Sequence, residues 1–67
     1  MLRIKYEMDV RRVRQKEISA RTGLAKQTVS KIVNGVEPPY PKRGQRIADA
    51  LGWRGDWREL FEEVEVL

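Results

Sequence analysis

Three segments of the chain repeat apolar residues at the three- and four-residue spacing of an α-helix. Residues that far apart lie on one side of a helix, so each segment is predicted to be helical with its apolar side facing a core. The Trp/Phe spacing of the third segment is typical of packing rather than of a ligand site. The three faces are Val29, Ile32 and Val33; Ile47, Ala50 and Leu51; and Trp57, Leu60, Phe61 and Val64.

Glycines mark the ends of these segments. Gly23 closes a preceding polar segment that begins near Gln15, and Asn34-Gly35 closes the segment that follows. Glycine adopts a positive φ without a steric penalty, which suits it to a tight turn or to a left-handed helix cap. Gly52 directly follows Leu51 and is predicted to be such a cap.

Two further signals organise the second half of the chain. The run from Pro38 to Pro41 predicts a stiff connector, because proline has no backbone N–H with which to continue a helix. Asp56, with Glu59 three residues later, predicts a capping box at the start of the last helix. Together the patterns predict a single all-α domain of four or five short helices over residues 1–67.

The patterns at the two ends, residues 1–12 and 64–67, fit more than one structure. Helical spacing connects Leu2, Tyr6, Val10 and Val13, whereas strand-like alternation connects Leu2, Ile4, Tyr6 and Met8. We favour a helix for the N-terminal segment. Residues 64–67 alternate weakly, so a short ladder between the termini, or across a dimer, stays open.

Composition restricts the chemistry that the chain can perform. It has 67 residues with no cysteine and no histidine, which excludes disulfides, thiolate nucleophiles, the usual structural zinc sites and the commonest general base. Glu59, Glu62 and Glu63 lie within one helical turn, but no second feature supports acid–base or magnesium chemistry there. We expect no enzyme activity, no cofactor and no metal site.

Charge is distributed unevenly along the chain. Residues 1–46 carry 12 Lys/Arg and 4 Asp/Glu, whereas residues 47–67 carry 2 and 6, so the balances are +8 and −4. A basic body fits a polyanionic partner, although small soluble domains often carry uneven charge as well. No apolar run approaches the roughly 20 residues that span a bilayer. We therefore expect a cytoplasmic protein without membrane contact.

Polar residues occupy one side of the helix that is predicted to start near Ala25. Their amides, hydroxyls and ammonium groups can bond the base edges of a DNA major groove, although glutamine and lysine are also ordinary residues of an exposed helix. The preceding segment ends at Gly23, which gives the spacing of a helix-turn-helix over about residues 15–34. The outward residues are Gln27, Ser30, Lys31 and Asn34, flanked by Lys26 and Thr28.

Three motifs resemble the lambda-repressor-like, or Cro/repressor, helix-turn-helix family. They are QKEISARTGL at 15–24, TVSKIVNG at 28–35 and IADALG at 47–52, and the resemblance covers roughly residues 13–61. It implies a compact four- to five-helix domain that binds double-stranded DNA. The chain departs from the family where Arg14 and Ala25 replace the usual Ser/Thr helix caps and where Ser19 replaces the usual alanine.

The resemblance also implies roles for individual residues. The implied base-reading residues, at the first exposed positions of the recognition helix and one turn later, are Lys26, Gln27 and Lys31. The implied phosphate-binding or supporting residues are Gln15, Thr28, Ser30, Asn34 and Arg43. The acidic residues Glu59, Glu62, Glu63 and Glu65 are expected to face away from DNA.

The favoured function is a sequence-specific transcriptional regulator, a repressor of phage or mobile-element type that is associated with the nucleoid. One recognition helix reads few base pairs, so a homodimer on an inverted repeat is expected. Its contact is expected in the C-terminal region, where Trp53, Trp57 or Leu67 could present apolar surface. The alternative is an antitoxin or other interaction module that binds a protein partner through the acidic C-terminal helix.

Overall fold

The computed structural model describes residues 1–65, which contain four α-helices and a 3₁₀ helix. The predicted all-α fold, with a helix-turn-helix at about 15–34, is confirmed. No helix among these residues is long and apolar enough to cross a membrane. The elements are α1 (Arg3–Arg11), α2 (Gln15–Thr22), α3 (Lys26–Val33), α4 (Tyr40–Leu51) and the 3₁₀ helix (Trp57–Phe61).

The helices surround one apolar core to which every element contributes. α2 packs against both α3 and α4, and the 3₁₀ helix packs against α1 and α4. The inward faces predicted for α3 and α4 are confirmed, since all of their residues are buried. Trp57 and Phe61 pack against the same core, as their spacing predicts, and Trp53 packs there too. The fully buried side chains are Ile4, Ile18, Val29, Ile32, Val33, Ile47 and Leu60.

α1 is the helix favoured for the N-terminal segment, but the predicted helical stripe does not coincide with its buried side; only Leu2 and Val13 of that stripe pack against the core. Tyr6 and Val10 are 40% and 60% exposed, whereas Ile4 and Met8 are buried. Leu2 lies outside the helix, in extended backbone, and so does not set the helix's inward side. Ile4 and Met8 are four residues apart and therefore share one side, which faces the core.

Among the described residues, strand pairing between the two ends of the chain is limited to one residue pair. Leu2 and Glu63 form an isolated antiparallel bridge. The Val64 N–H donates to the Met1 carbonyl oxygen at 2.9 Å. The ladder that the sequence leaves open between the termini therefore exists within one chain.

The capping box predicted before the last helix is confirmed. The Asp56 carboxylate accepts the Arg58 N–H at 3.0 Å, and the Glu59 carboxylate accepts the Asp56 N–H at 2.9 Å. These bonds satisfy two of the N–H groups that a helix start leaves without a partner.

The helix that follows is shorter and tighter than predicted. It is a 3₁₀ helix that ends at Phe61, so the assignment of Val64 to its face is wrong. Backbone from Glu62 is extended, and the Glu62 carbonyl accepts the Arg3 N–H at 2.9 Å. Pairing with the N-terminus replaces a further helical turn. Val66 and Leu67, and with Leu67 one predicted dimer contact, lie outside the described residues.

The proline connector is shorter than the sequence predicts. α4 begins at Tyr40, so Pro41 lies in its first turn, and only Pro38 and Pro39 precede the helix. Proline is tolerated in a first turn because the N–H groups there have no intrahelical partner. The expectation that the whole run stays outside a helix is therefore wrong for Pro41.

Two arginines bond the C-terminal carbonyls of α4. Arg11 of α1 donates from Nη1 to the carbonyls of Leu51 and Gly52, at 3.3 and 3.1 Å. Arg21 of α2 donates from Nη1 to the Ala50 carbonyl at 2.7 Å. The last carbonyls of a helix lack intrahelical partners and form the negative end of its dipole. The two guanidinium groups therefore tie α1 and α2 to the same end of α4.

Gly44 lies inside α4, directly beneath the indole of Trp57. A Cβ at this position would lie 2.2 Å from Trp57 Cε3 and 2.6 Å from Cζ3. Such separations are not sterically tolerated, so the missing side chain allows the 3₁₀ helix to approach α4. This close packing offsets the ~1 kcal/mol by which glycine is less favourable than alanine inside a helix.

We predict that Gly44→Ala destabilises the protein by ~1 to 3 kcal/mol, because the indole of Trp57 must move out of its packed position. In a chain of this size that loss corresponds to a fall of several degrees in Tm, about 4 to 8 °C for each kcal/mol. Thermal unfolding followed by circular dichroism measures it. Arg46→Ala, at an exposed position of the same helix, is the matched control and should change little. A higher Tm for Gly44→Ala would contradict the packing argument.

Candidate nucleic-acid interface

α3 has two sides with opposite properties. Val29, Ile32 and Val33 are fully buried, while Lys26, Gln27 and Lys31 are exposed. We call these three exposed residues the outward face of α3. Their side chains form no hydrogen bond or ion pair with any residue in the range 1–65, so their donors and acceptors are turned to solvent. The structure thus places all three predicted base-reading residues at exposed positions of α3.

The turn between α2 and α3 is held by hydroxyl groups as well as by glycine. Gly23 has a φ of 77°, which confirms the left-handed conformation predicted for it. The Thr22 hydroxyl accepts the Leu24 N–H at 3.2 Å, and the Ser19 hydroxyl donates to the Leu24 carbonyl. In the sequence, Ser19 is distinguished only as a replacement for the family's usual alanine. A hydroxyl at that position, a short distance before a turn, is the signal that could have revealed the bond.

The remaining predicted contacts lie beside the outward face. Gln15 is half-buried at the first residue of α2, and Thr28 and Ser30 are half-buried on α3. Ala25 caps α3 without a side-chain acceptor, as its identity predicts. The cap residue therefore offers no side-chain acceptor to the N–H groups in the first turn of α3. The positive charge of Lys26 lies at this same end of the helix.

Both ends of the exposed Asn34 amide are bonded to other residues of the chain. Its Nδ2 donates to the Ser30 carbonyl at 2.8 Å and lies 3.3 Å from the Ser30 hydroxyl. Its Oδ1 accepts from Lys5 Nζ at 2.9 Å. Since both ends of the amide are bonded, Asn34 ends α3 and joins it to α1. Lys5, on the exposed side of α1, is a residue that sequence analysis missed.

Arg43 forms an ion pair at the start of α4. Its Nη1 lies 3.2 Å from Glu37 Oε1, and both side chains are partly exposed. Glu37 belongs to the loop between α3 and α4. The guanidinium predicted to bind phosphate is thus already paired with a carboxylate, and an incoming phosphate would have to share or displace it.

The basic residues between the end of α1 and the start of α2 differ in the contacts they make. Arg11 bonds the end of α4, pairs with Glu7 at 3.3 Å and lies 5.6 Å from the ring centre of Trp53. Arg12, Arg14 and Lys16 are exposed. Among residues 1–65 these last three have no ion-pair partner, so no carboxylate there neutralises their charge.

Acidic side chains are concentrated in the 3₁₀ helix and the residues that follow it. Glu59, Glu62, Glu63 and Glu65 are all exposed, and Glu63 pairs with the N-terminal ammonium at 3.1 Å. Within residues 1–65 there is no group of three or more acidic side chains placed to hold a metal ion. Their orientation relative to bound DNA stays a prediction.

Comparison with known proteins identifies a family match. The family model HTH_3, described as "Helix-turn-helix", matches residues 5–57. No curated protein and no solved structure matches the chain. The matched range contains α2, the turn, α3 and α4, together with the outward face and the loop that carries Glu37. The chain therefore belongs to the lambda-repressor-like helix-turn-helix family of DNA-binding regulators.

Proposed function

We propose that the protein is a sequence-specific repressor of transcription that places α3 in the major groove of double-stranded DNA. The observation that carries this proposal is the division of α3 into a fully buried side and an outward face whose side chains have no partner among residues 1–65. Lys26 and Lys31 offer ammonium groups that suit guanine O6 and N7, and Gln27 offers an amide that suits adenine N6 and N7. We do not expect enzyme activity, since the family binds DNA.

Phosphate contacts would fix the position of α3 on the duplex. Gln15 at the start of α2 and Arg43 at the start of α4 lie at helix N-termini, where the dipole favours an anion. Thr28 and Ser30 flank the outward face and would support these contacts. Such contacts supply affinity without reading sequence, whereas the outward face supplies discrimination.

A homodimer on an inverted repeat is part of the proposal. A single eight-residue recognition helix contacts few base pairs, and two copies related by a two-fold axis would double the site. The half-sites would be separated by about 34 Å, one turn of DNA. Trp53 and Trp57 pack against the core and are half-buried, so part of each indole remains accessible to a second copy.

A second candidate function is supported by the exposed acidic residues at the C-terminal end. Four exposed glutamates follow Arg58, and they would favour a protein partner with a basic surface, as in an antitoxin. This function is compatible with DNA binding because α3 and the acidic segment are separate elements. Either role places the protein in the cytoplasm, at the nucleoid when it is bound to DNA.

Selection from a random duplex library at near-physiological salt tests the main proposal directly. We predict enrichment of an inverted repeat with half-sites about one helical turn apart. Binding should also weaken by ~0.9 log unit per tenfold increase in salt for every phosphate neutralised. Retention only at low salt, without an enriched sequence, would contradict specific recognition and direct the search to a protein partner.

Gln27→Ala should cost ~1 to 3 kcal/mol of binding free energy on the selected site and much less on random DNA, because Gln27 is expected to bond a base. Arg43→Ala should weaken both kinds of complex alike, because a phosphate contact carries no sequence information. Fluorescence anisotropy with both duplexes measures the two effects. Equal losses on both duplexes for Gln27→Ala would show that α3 does not read bases.

Glu37→Gln should strengthen binding to the selected and random duplexes by a similar factor, about two- to fivefold, since it frees Arg43 from a surface ion pair worth ~0 to 1 kcal/mol. Glu65→Gln removes the same charge from an exposed C-terminal position and is the matched control. The gain should disappear when Arg43→Ala is combined with Glu37→Gln. An equal gain in the Glu65→Gln control would show that the stronger binding comes from the change in net charge and not from the release of Arg43.

A further inference from the structure

Lys5 places a positive charge of α1 beside the C-terminal end of α3. Its Nζ lies 2.9 Å from Asn34 Oδ1, although the two residues are 29 positions apart in the chain. Asn34 is itself held by two bonds to Ser30, one to the carbonyl and one to the hydroxyl. Ser30 and Lys31 are on the side of α3 that faces away from the core. The Lys5 ammonium therefore lies along the surface that continues the outward face.

The Lys5 ammonium keeps most of its hydrogen-bonding capacity. An ammonium group has three donors, and Asn34 uses one of them with a neutral acceptor. Among residues 1–65, Lys5 forms no ion pair, whereas Arg11, Arg21 and Arg43 each pair with a glutamate. Within residues 1–65, the Lys5 charge therefore has no carboxylate partner and two of its three donors have no acceptor.

The backbone that carries Lys5 is fixed. Ile4, its neighbour in the chain, is fully buried, and Met8 one turn later is 7% exposed. The side chain is fixed at its other end by Asn34, which reduces the rotamer freedom that a flexible lysine loses when it binds an anion. Position and orientation are therefore established before any ligand arrives.

We propose that Lys5 is a phosphate-binding residue of the DNA interface and that Asn34 is the residue that positions it. This assignment rests on the proposed DNA binding by α3 and extends the contact surface to α1. A phosphate oxygen bound by the free donors of Lys5 would lie at the C-terminal end of α3, beside Lys31. The opposite end of α3 carries Lys26 and Gln27. The recognition helix would then be fixed to the DNA backbone at both of its ends.

The test compares Lys5→Met with Arg54→Met. Arg54 is exposed and follows the C-terminal end of α4, so its substitution removes one charge far along the chain from α1 and α3. Binding to the selected duplex and to a random duplex is measured across a salt series. Lys5→Met should make the negative slope of log affinity against log salt less steep by ~0.9. It should weaken binding to both duplexes by the same factor. Lys5→Arg keeps the charge and should retain the wild-type slope.

The outcomes separate this assignment from the proposed function. If the wild-type protein binds with a steep salt dependence, but Lys5→Met changes the slope no more than Arg54→Met does, the role of Lys5 is wrong and DNA binding stands. A wild-type protein with a flat salt response would overturn the proposed function itself. Circular dichroism melting of each variant is the control for folding; since Lys5 is exposed, Tm should stay near that of the wild type. A loss of slope in Lys5→Met together with wild-type Tm would establish the contact.

Discussion

Burial of one side of α3 is the constraint on which the interface depends. A helix of eight residues is too short to be stable alone in water, so its shape and direction come from packing rather than from its own propensity. Val29, Ile32 and Val33 supply that packing and are fully buried. Because their branched side chains hold one side of the helix in the core, the opposite side with Gln27 must face solvent. The same three residues thus support the fold and orient the outward face.

α4 holds the other elements around α3. Its C-terminal carbonyls accept bonds from Arg11 and Arg21, which join it to α1 and α2. Its middle, at Gly44, is close enough to Trp57 that no side chain fits between them. The 3₁₀ helix thereby returns the chain to the N-terminus, where Leu2 pairs with Glu63. These contacts fix the position of α1 and with it the position of Lys5.

The distribution of paired and unpaired cations gives the basic half of the molecule two functions. Arg11 and Arg21 donate hydrogen bonds to carbonyls at the end of α4, and Arg43 is paired with Glu37. Lys5 and the lysines of the outward face, by contrast, have no carboxylate partner in the described part of the chain. A count of basic residues along the sequence therefore overstates the number that can meet a phosphate, since some of the arginines stabilise the fold instead. Net charge is a property of composition, whereas available charge is a property of contacts.

The sequence by itself determined the all-α fold, the helix-turn-helix and the two sides of α3, because helical periodicity and glycine positions are local signals. Only the tertiary structure decided which side of α1 is buried and where the last helix ends, since the pairing of Leu2 with Glu63 joins residues from opposite ends of the chain. It also decided that Arg43 is paired and that Lys5 contacts Asn34. These two contacts depend on which side chains lie close together in the folded chain, and the spacing of residues along a single sequence does not give those distances.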